Sequence, residues 1–236
     1  FLVMRRSPGR IGGNFFGAQT RVPENLADAL AATMAKLHAL PPMPELGDLT
    51  DSIRRDTWSL DRRESIRRYL QAWLELYRSR RHAGSPAVLG LYGWLLEHVP
   101  ERHGRPALLH GDFGFHNFLF HEGELSAVLD WEFAHVGDPA EDLGYVKVTV
   151  GAALDWDRLM ARYLAAGGEP VDERTLLFFQ IWAYVRNASA ASLLWHCFDT
   201  GQSSDLKLTV LPHAHFPHFI RGAQALVDAY EQRFGR

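Results

Sequence analysis

The sequence predicts an α+β fold that is mainly helical, with a small β-hairpin at its centre. Apolar residues recur at steps of three and four along most of the chain. Short β-prone runs gather around residues 107–129, and His121-Glu122-Gly123-Glu124 separates two of them as a hairpin signal. At 236 residues and 47% apolar content, the chain has material for a core spanning one to two domains.

Taken in order, Phe1-Leu2-Val3-Met4 reads as a short strand, stopped by the turn residues Ser7-Pro8-Gly9. Gly9, Gly12, Gly13 and Gly17 follow. Their spacing fits neither G-x-G-x-x-G nor G-x-x-x-x-G-K-[ST], so the stretch reads as a flexible connection. Pro23 opens a helix with Leu26, Leu30, Met34 and Leu37 on one face, ended by Pro41-Pro42. A second helix is expected from about Leu60 to Arg80, with Ile66, Tyr69, Leu70, Trp73, Leu76 and Tyr77 along one side. A third runs from Pro86 to His98. Ala107-Leu108-Leu109 is a strand, and Phe118-Leu119-Phe120 and Leu125 to Leu129 are the arms of the hairpin. Beyond Pro139 the chain returns to helices, at about 139–150, 155–166, 172–199 and 214–234.

Composition narrows the function. Twenty-five Lys and Arg against 28 Asp and Glu leave a net charge of -3, so no electrostatic case for nucleic acid arises. The single cysteine, Cys197, excludes a disulfide within the chain and suits a reducing compartment. No apolar run approaches the roughly 18 residues that span a bilayer, and Phe1 to Arg6 lacks the charged leader of a signal peptide. The expected setting is the cytoplasm, away from membranes.

The chemistry lies where the helical pattern breaks. Residues 110–117 read His110-Gly111-Asp112-Phe113-Gly114-Phe115-His116-Asn117; the hairpin follows, then Asp130-Trp131-Glu132-Phe133 and Gly137-Asp138-Pro139-Ala140-Glu141-Asp142-Leu143. The hairpin would fold Asp130 back beside the 110–117 loop. Two carboxylates and an amide brought together suit a hard divalent cation, and Mg²⁺ typically takes one or two carboxylates plus phosphates and water. Phosphoryl transfer needs these parts: a carboxylate for the attacking hydroxyl and oxygen ligands for the metal. Asp112 precedes Asn117 by five positions, as in H-R-D-x-x-x-x-N, and Asp130 lies where D-F-G would place its Asp. Asp138 can cap the following helix, with Pro139 at its first position and Glu141 completing a capping box.

Together these motifs resemble the aminoglycoside phosphotransferase/choline kinase-like family, over a specific core of residues 108–145, with Leu37-His38 also in keeping. The resemblance implies the C-terminal lobe of a protein-kinase-like fold. Residues 1–20 would be the last strand of the N-terminal lobe and its hinge, and 21–236 the helical lobe carrying the catalytic and metal-binding loops. It implies Asp112 as catalytic base, Asn117 and Asp130 as Mg²⁺ ligands, His110 as loop support and Asp142 as the tie between a helix start and that loop. Backbone groups of Arg5 and Ser7 would meet the adenine of ATP. The acceptor would be a hydroxyl of a small molecule.

The phosphate-covering loop and lysine–glutamate pair of such enzymes are missing, and the first lysine, Lys36, falls inside a predicted helix. The chain is therefore expected to be the C-terminal part of a longer enzyme, poorly active alone. A non-catalytic nucleotide- or metabolite-binding module is the alternative, favoured by Trp131-Glu132 in place of Phe-Gly; a metal-dependent hydrolase is a third. Arg54, Arg55, Arg62, Arg63, Arg67 and Arg68 read as a solvated helix face. His213, His215 and His218 make no zinc site, because Pro212 and Pro217 break up their segment. Phe178, Phe179, Trp182, Tyr184 and Trp195 line a long buried helix. Arg186 and Asn187 interrupt its apolar run as candidate acceptor contacts.

Overall fold

The computed structural model describes residues 6–12, 22–41, 61–80 and 85–235. The strand expected at 1–4, Arg5, Arg54 and Arg55 lie outside these residues. In chain order the elements are β1 (Arg10–Ile11), α1 (Glu24–His38), α2 (Arg62–Arg80), α3 (Pro86–Glu97), β2 (Ala107–Leu109), β3 (Phe118–His121) and β4 (Glu124–Val128). There follow β5 (His135–Gly137), α4 (Ala140–Thr149), α5 (Trp156–Ala165), α6 (Glu173–Asp199) and α7 (Lys207–Phe234). They fall into two compact units, Phe1–Pro42 with Ala107–Val171, and Met43–Pro106 with Asp172–Arg236.

The first unit holds every described strand. β3 and β4 form the expected hairpin, with Glu122 at φ 51° and Gly123 at φ 85°. Two successive positive φ angles make a turn whose twist matches that of the strands. Phe118 pairs with Val128 and His121 with Glu124, while Ser126 is skipped between Leu119↔Ala127 and Phe120↔Leu125. That bulge lets Ser126 Oγ donate to the carbonyl of Pro8 at 2.5 Å.

Two short strands depart from the sequence reading. Arg10–Ile11, placed in the flexible glycine stretch, pairs antiparallel with β3. His135–Gly137, passed over as loop, pairs antiparallel with β2, Leu108 opposite Val136. Strands of two or three residues carry no measurable alternation, so their existence is decided by the partner strand.

Phe113, Phe115 and Phe118 are fully buried beneath the hairpin, Phe113 edge-on to Phe118 at 4.9 Å between ring centres. Each contributes roughly 1.5–3 kcal/mol of burial. α1 turns Leu30, Ala31 and Met34 inward, and α4 buries eight of its ten residues. Arg158 of α5 grips α1 through Asp28 at 2.9 and 3.1 Å. Only half-buried, with Arg158 40% exposed, this pair sets orientation more than stability.

The second unit is helical. Capping starts two of its helices: Ser85 Oγ accepts from Val88 N with Pro86 at the first position, and Asp172 accepts from Thr175 N at 2.8 Å. Tyr69, Trp73 and Tyr92 meet Trp182 edge-on at 5.9 to 6.2 Å. Burial pushes the Tyr92 phenol up, and its hydroxyl pairs with Ser189 Oγ at 2.9 Å. Phe178, Phe179 and Trp182 are core as expected, whereas Tyr184 and Trp195 are only half-buried.

α7 corrects a second reading. The helix begins not at 214 but at Lys207, so it runs through Pro212 as well as Pro217. An interior proline loses a backbone bond and costs about 3 kcal/mol. The offset lies further along: Phe219, Ala223, Val227 and Tyr230 are buried at steps of three and four, and Gly222 admits the Tyr184 ring where a Cβ would sit 2.6 Å from it. Packing of this long stripe against α6 overrides the local breakers. Among the described residues no group of three or more His, Cys, Asp or Glu comes together as a metal site, and no helix is long and apolar enough to cross a membrane.

Candidate active site

The loop that follows β2 is built on hydrogen bonds from the chain's own side chains. His110, fully buried, donates from Nε2 to the carbonyl of Leu129 at 2.9 Å. A carbonyl can only accept, so Nε2 carries the proton and Nδ1 is left to accept; the backbone N–H of Asp112 reaches it at 3.2 Å. Leu129 in turn donates its N–H to the carbonyl of Asn117 at 2.7 Å. The residue before Asp130 is therefore tied to both ends of the 110–117 loop. The Trp131 ring lies over His110 at 4.6 Å, with its Nε1 anchored on the carbonyl of Val128 at 3.0 Å.

Asp112 and Asn117 are in direct contact. Asn117 Nδ2 donates to the Asp112 carbonyl at 3.0 Å and to Asp112 Oδ2 at 2.9 Å. Both partners are acceptors, which fixes the amide orientation and turns its oxygen away from Asp112. His116 Nε2 reaches the same Asp112 Oδ2 at 3.1 Å. Asp130 is exposed and held at φ 62°, ψ 62°, a left-handed conformation that Asp adopts more readily than bulky residues do.

Behind the loop, α4 supplies Asp142, wholly buried. Its Oδ1 accepts from Gly111 N at 2.9 Å and its Oδ2 from His110 N at 3.0 Å and His38 Nε2 at 3.1 Å. With Nε2 donating, His38 Nδ1 accepts from Tyr163 OH at 2.9 Å. Burial alone would push the Asp142 carboxyl up; the hydrogen bond from His38, with the electrostatic pull of the His38 and His110 rings and the backbone N–H of His110, outweighs it and holds the group below its ordinary range. Burial likewise raises the Tyr163 phenol. Asp138 accepts from Ala140 N at 2.9 Å at the helix start, while the Glu141 carboxylate meets His135 Nε2 at 3.3 Å.

Gly111 is required by this geometry. Its φ is +77°, and a Cβ there would lie 2.4 Å from the carbonyl oxygen of Phe133. Gly111→Ala is expected to cost roughly 1–3 kcal/mol from backbone strain alone, with more from the displaced Phe133 carbonyl. Thermal unfolding checks this: a melting temperature equal to that of the parent protein would contradict it.

Of the other expected site residues, Arg5 lies outside the described residues. Ser7 is half-buried, one residue before the Pro8 carbonyl that Ser126 holds. Arg186 is 3% exposed and Asn187 half-buried on α6, in the second unit. Sequence reasoning passed over His116 and Tyr163. The first stood in plain view inside the motif; the second carried no signal, because only packing of α5 brings it to His38.

A five-residue step from carboxylate to amide, a hairpin, and a buried aspartate beneath the loop define a kinase-like phosphotransferase fold. The sequence model described as the Phosphotransferase enzyme family matches residues 1–179. The chain belongs to that family. Solved structures agree on the fold: a Ralstonia eutropha protein assigned to the aminoglycoside phosphotransferases has a TM-score of 0.71 at 19% identity, covering 94% of this chain and 71% of that one. The macrolide 2′-phosphotransferase of Brachybacterium faecium gives 0.57 at 20% identity over 92% and 68%. Spectinomycin phosphotransferase, solved with ADP and spectinomycin, gives 0.55 at 14% identity over 94% and 69%.

Curated relatives are longer or only locally alike. Acyl-CoA dehydrogenase family member 10 of Mus musculus is 43% identical over 82 residues, 34% of this chain and 8% of that protein. Family member 11 of Rattus norvegicus is 31% identical over 156 residues, 63% and 18% respectively. Viomycin phosphotransferase of Streptomyces vinaceus is 37% identical over 70 residues, 28% and 23%.

Proposed function

We propose that this phosphotransferase moves the γ-phosphate of ATP to a hydroxyl of a small molecule, with Asp112 as general base and Asn117 and Asp130 as ligands of Mg²⁺. The contact of the Asn117 amide with the Asp112 carboxylate, at 2.9 Å, carries the reading. It sets a base and an oxygen ligand side by side. The donor set fits the ion: with Nδ2 spent on Asp112, Asn117 offers its amide oxygen, and Asp130 offers an exposed carboxylate. Bound there, Mg²⁺ would neutralise charge on the phosphate oxygens.

The chain's own residues do the rest. Asp112 accepts the proton of the attacking hydroxyl, and His110 and Asp142 hold its loop in place, so that catalysis rests on position and charge. On the family resemblance, residues 1–20 would belong to the end of a nucleotide-covering lobe and its hinge, with Arg5 and Ser7 as the adenine contacts. Arg186 and Asn187 are assigned to the acceptor. Nucleotide complexes of the structural neighbours support the donor.

The names of relatives and structural neighbours mention acyl-CoA, viomycin, macrolides and spectinomycin, so the acceptors to test first are acyl-CoA esters that carry a hydroxyl and antibiotics. The test is transfer of labelled γ-phosphate by the natural full-length protein across both classes, sugars and amino alcohols. Phosphorylated product with one class is the expected result. Nucleotide binding without transfer to any would sustain the binding-module reading instead.

A further inference from the structure

His116 makes a contact that the proposed reaction does not use. Its Nε2 lies 3.1 Å from Asp112 Oδ2, the two side chains 13% and 8% exposed. Asn117 Nδ2 meets the same oxygen at 2.9 Å. A carboxylate able to act as base only accepts, so the imidazole meets it as an N–H donor at Nε2.

Room for this ring is built into the backbone. Gly114 is extended, at φ -150° and ψ 162°. A Cβ there would stand 2.7 Å from His116 Cε1 and 2.8 Å from Nδ1. The glycine is thus needed for what lies across it. On either side, Phe113 and Phe115 are buried to 0% and 1% exposure, which fixes the direction in which His116 leaves the loop.

An aspartate side chain ends in a soft two-fold torsion: one donor leaves the carboxylate plane free to swing, and two donors on one oxygen pin it. Transfer to a hydroxyl depends on that plane, since the accepting lone pair must face the proton it takes. We propose that His116 is a positioning residue: its Nε2–H, together with the Asn117 amide, fixes the plane of the Asp112 carboxylate toward the acceptor. This rests on the reading of Asp112 as the base.

The experiment measures kcat and KM of the natural full-length protein and its variants, using the acceptor found in the screen above. His116→Ala is expected to lower kcat roughly 10- to 100-fold, with KM for the nucleotide changed less than about twofold. His116→Gln, which can place an amide N–H near the same point, should recover most of the loss, and His116→Leu should not. Gly114→Ala should reproduce the defect by displacing the ring. The double variant Gly114→Ala/His116→Ala should be no worse than the poorer single one, because both act through one contact.

A second readout does not depend on turnover. In ¹⁵N-histidine spectra His116 should show the Nε2–H form, and its signal should move in Asp112→Asn. Wild-type kcat in His116→Ala, equal defects in the Gln and Leu variants, or an Nδ1–H form would each overturn the proposal while leaving Asp112 in place. An active Asp112→Asn protein would instead remove the base, and the role of His116 with it.

Discussion

Asp112→Asn, introduced into the natural full-length protein, is expected to lower phosphate transfer by about 10²- to 10⁴-fold, the usual contribution of a positioned general base. An amide of the same shape keeps the loop's backbone bonds: the Asp112 N–H still meets His110 Nδ1, and the Asp112 carbonyl still accepts from Asn117. Only the capacity to take a proton is lost. Melting temperature and nucleotide affinity should therefore change little while kcat collapses. Transfer at the parent rate would show that another group, or water, serves as base. Release of inorganic phosphate from ATP without an acceptor is a useful control. If it fell in parallel, the carboxylate would act on water as well as on alcohols.

Asp142→Ala is expected to be strongly destabilising, by roughly 1–3 kcal/mol for each buried donor that it leaves without an acceptor. One carboxylate serves three donors there: the N–H groups of His110 and Gly111, and the His38 ring. Its loss strands two buried backbone donors and the imidazole together. Chemical denaturation should show the midpoint fall, and any folded fraction should have a poorly positioned Asp112 loop.

The pH dependence separates this from simple loss of packing. The Asp142 carboxyl is held below its ordinary value in the folded protein. Such a group contributes stability that is fully present above its unfolded pKa, about 3.9, and that is lost as pH falls through the lower folded value. The gap between parent and variant should be widest near neutrality and narrow under acid. A gap independent of pH would mean that the carboxylate's charge is not what holds the loop.

Much of this was readable along the chain. α1 through α6 were legible from apolar steps of three and four and from Pro23, Pro86 and Pro139 at three of their starts, because helix signals are local; the side-chain caps Ser85, Asp155 and Asp172 were passed over. The hairpin was legible for the same reason, since Glu122-Gly123 supplies both left-handed positions of the turn. Asp112, Asn117, Asp130 and Asp142 stood out by their spacing. Elsewhere locality failed. β5 exists because β2 pairs with it, and α7 passes two prolines because a stripe from Phe219 to Tyr230 is buried along its length.

By itself, the sequence determined which side chains are present and which short elements carry them: a helical chain interrupted by a loop of carboxylates, amide and imidazoles. Tertiary structure alone decided which of these touch. It set His116 on the same oxygen as Asn117, with Gly114 clearing the space, and brought Tyr163 from α5 to His38 and so to Asp142. The physical reason is range. Propensity and capping act over a few residues, whereas a hydrogen bond between residues 125 apart in the chain forms only when packing of whole helices delivers its two ends to 2.9 Å.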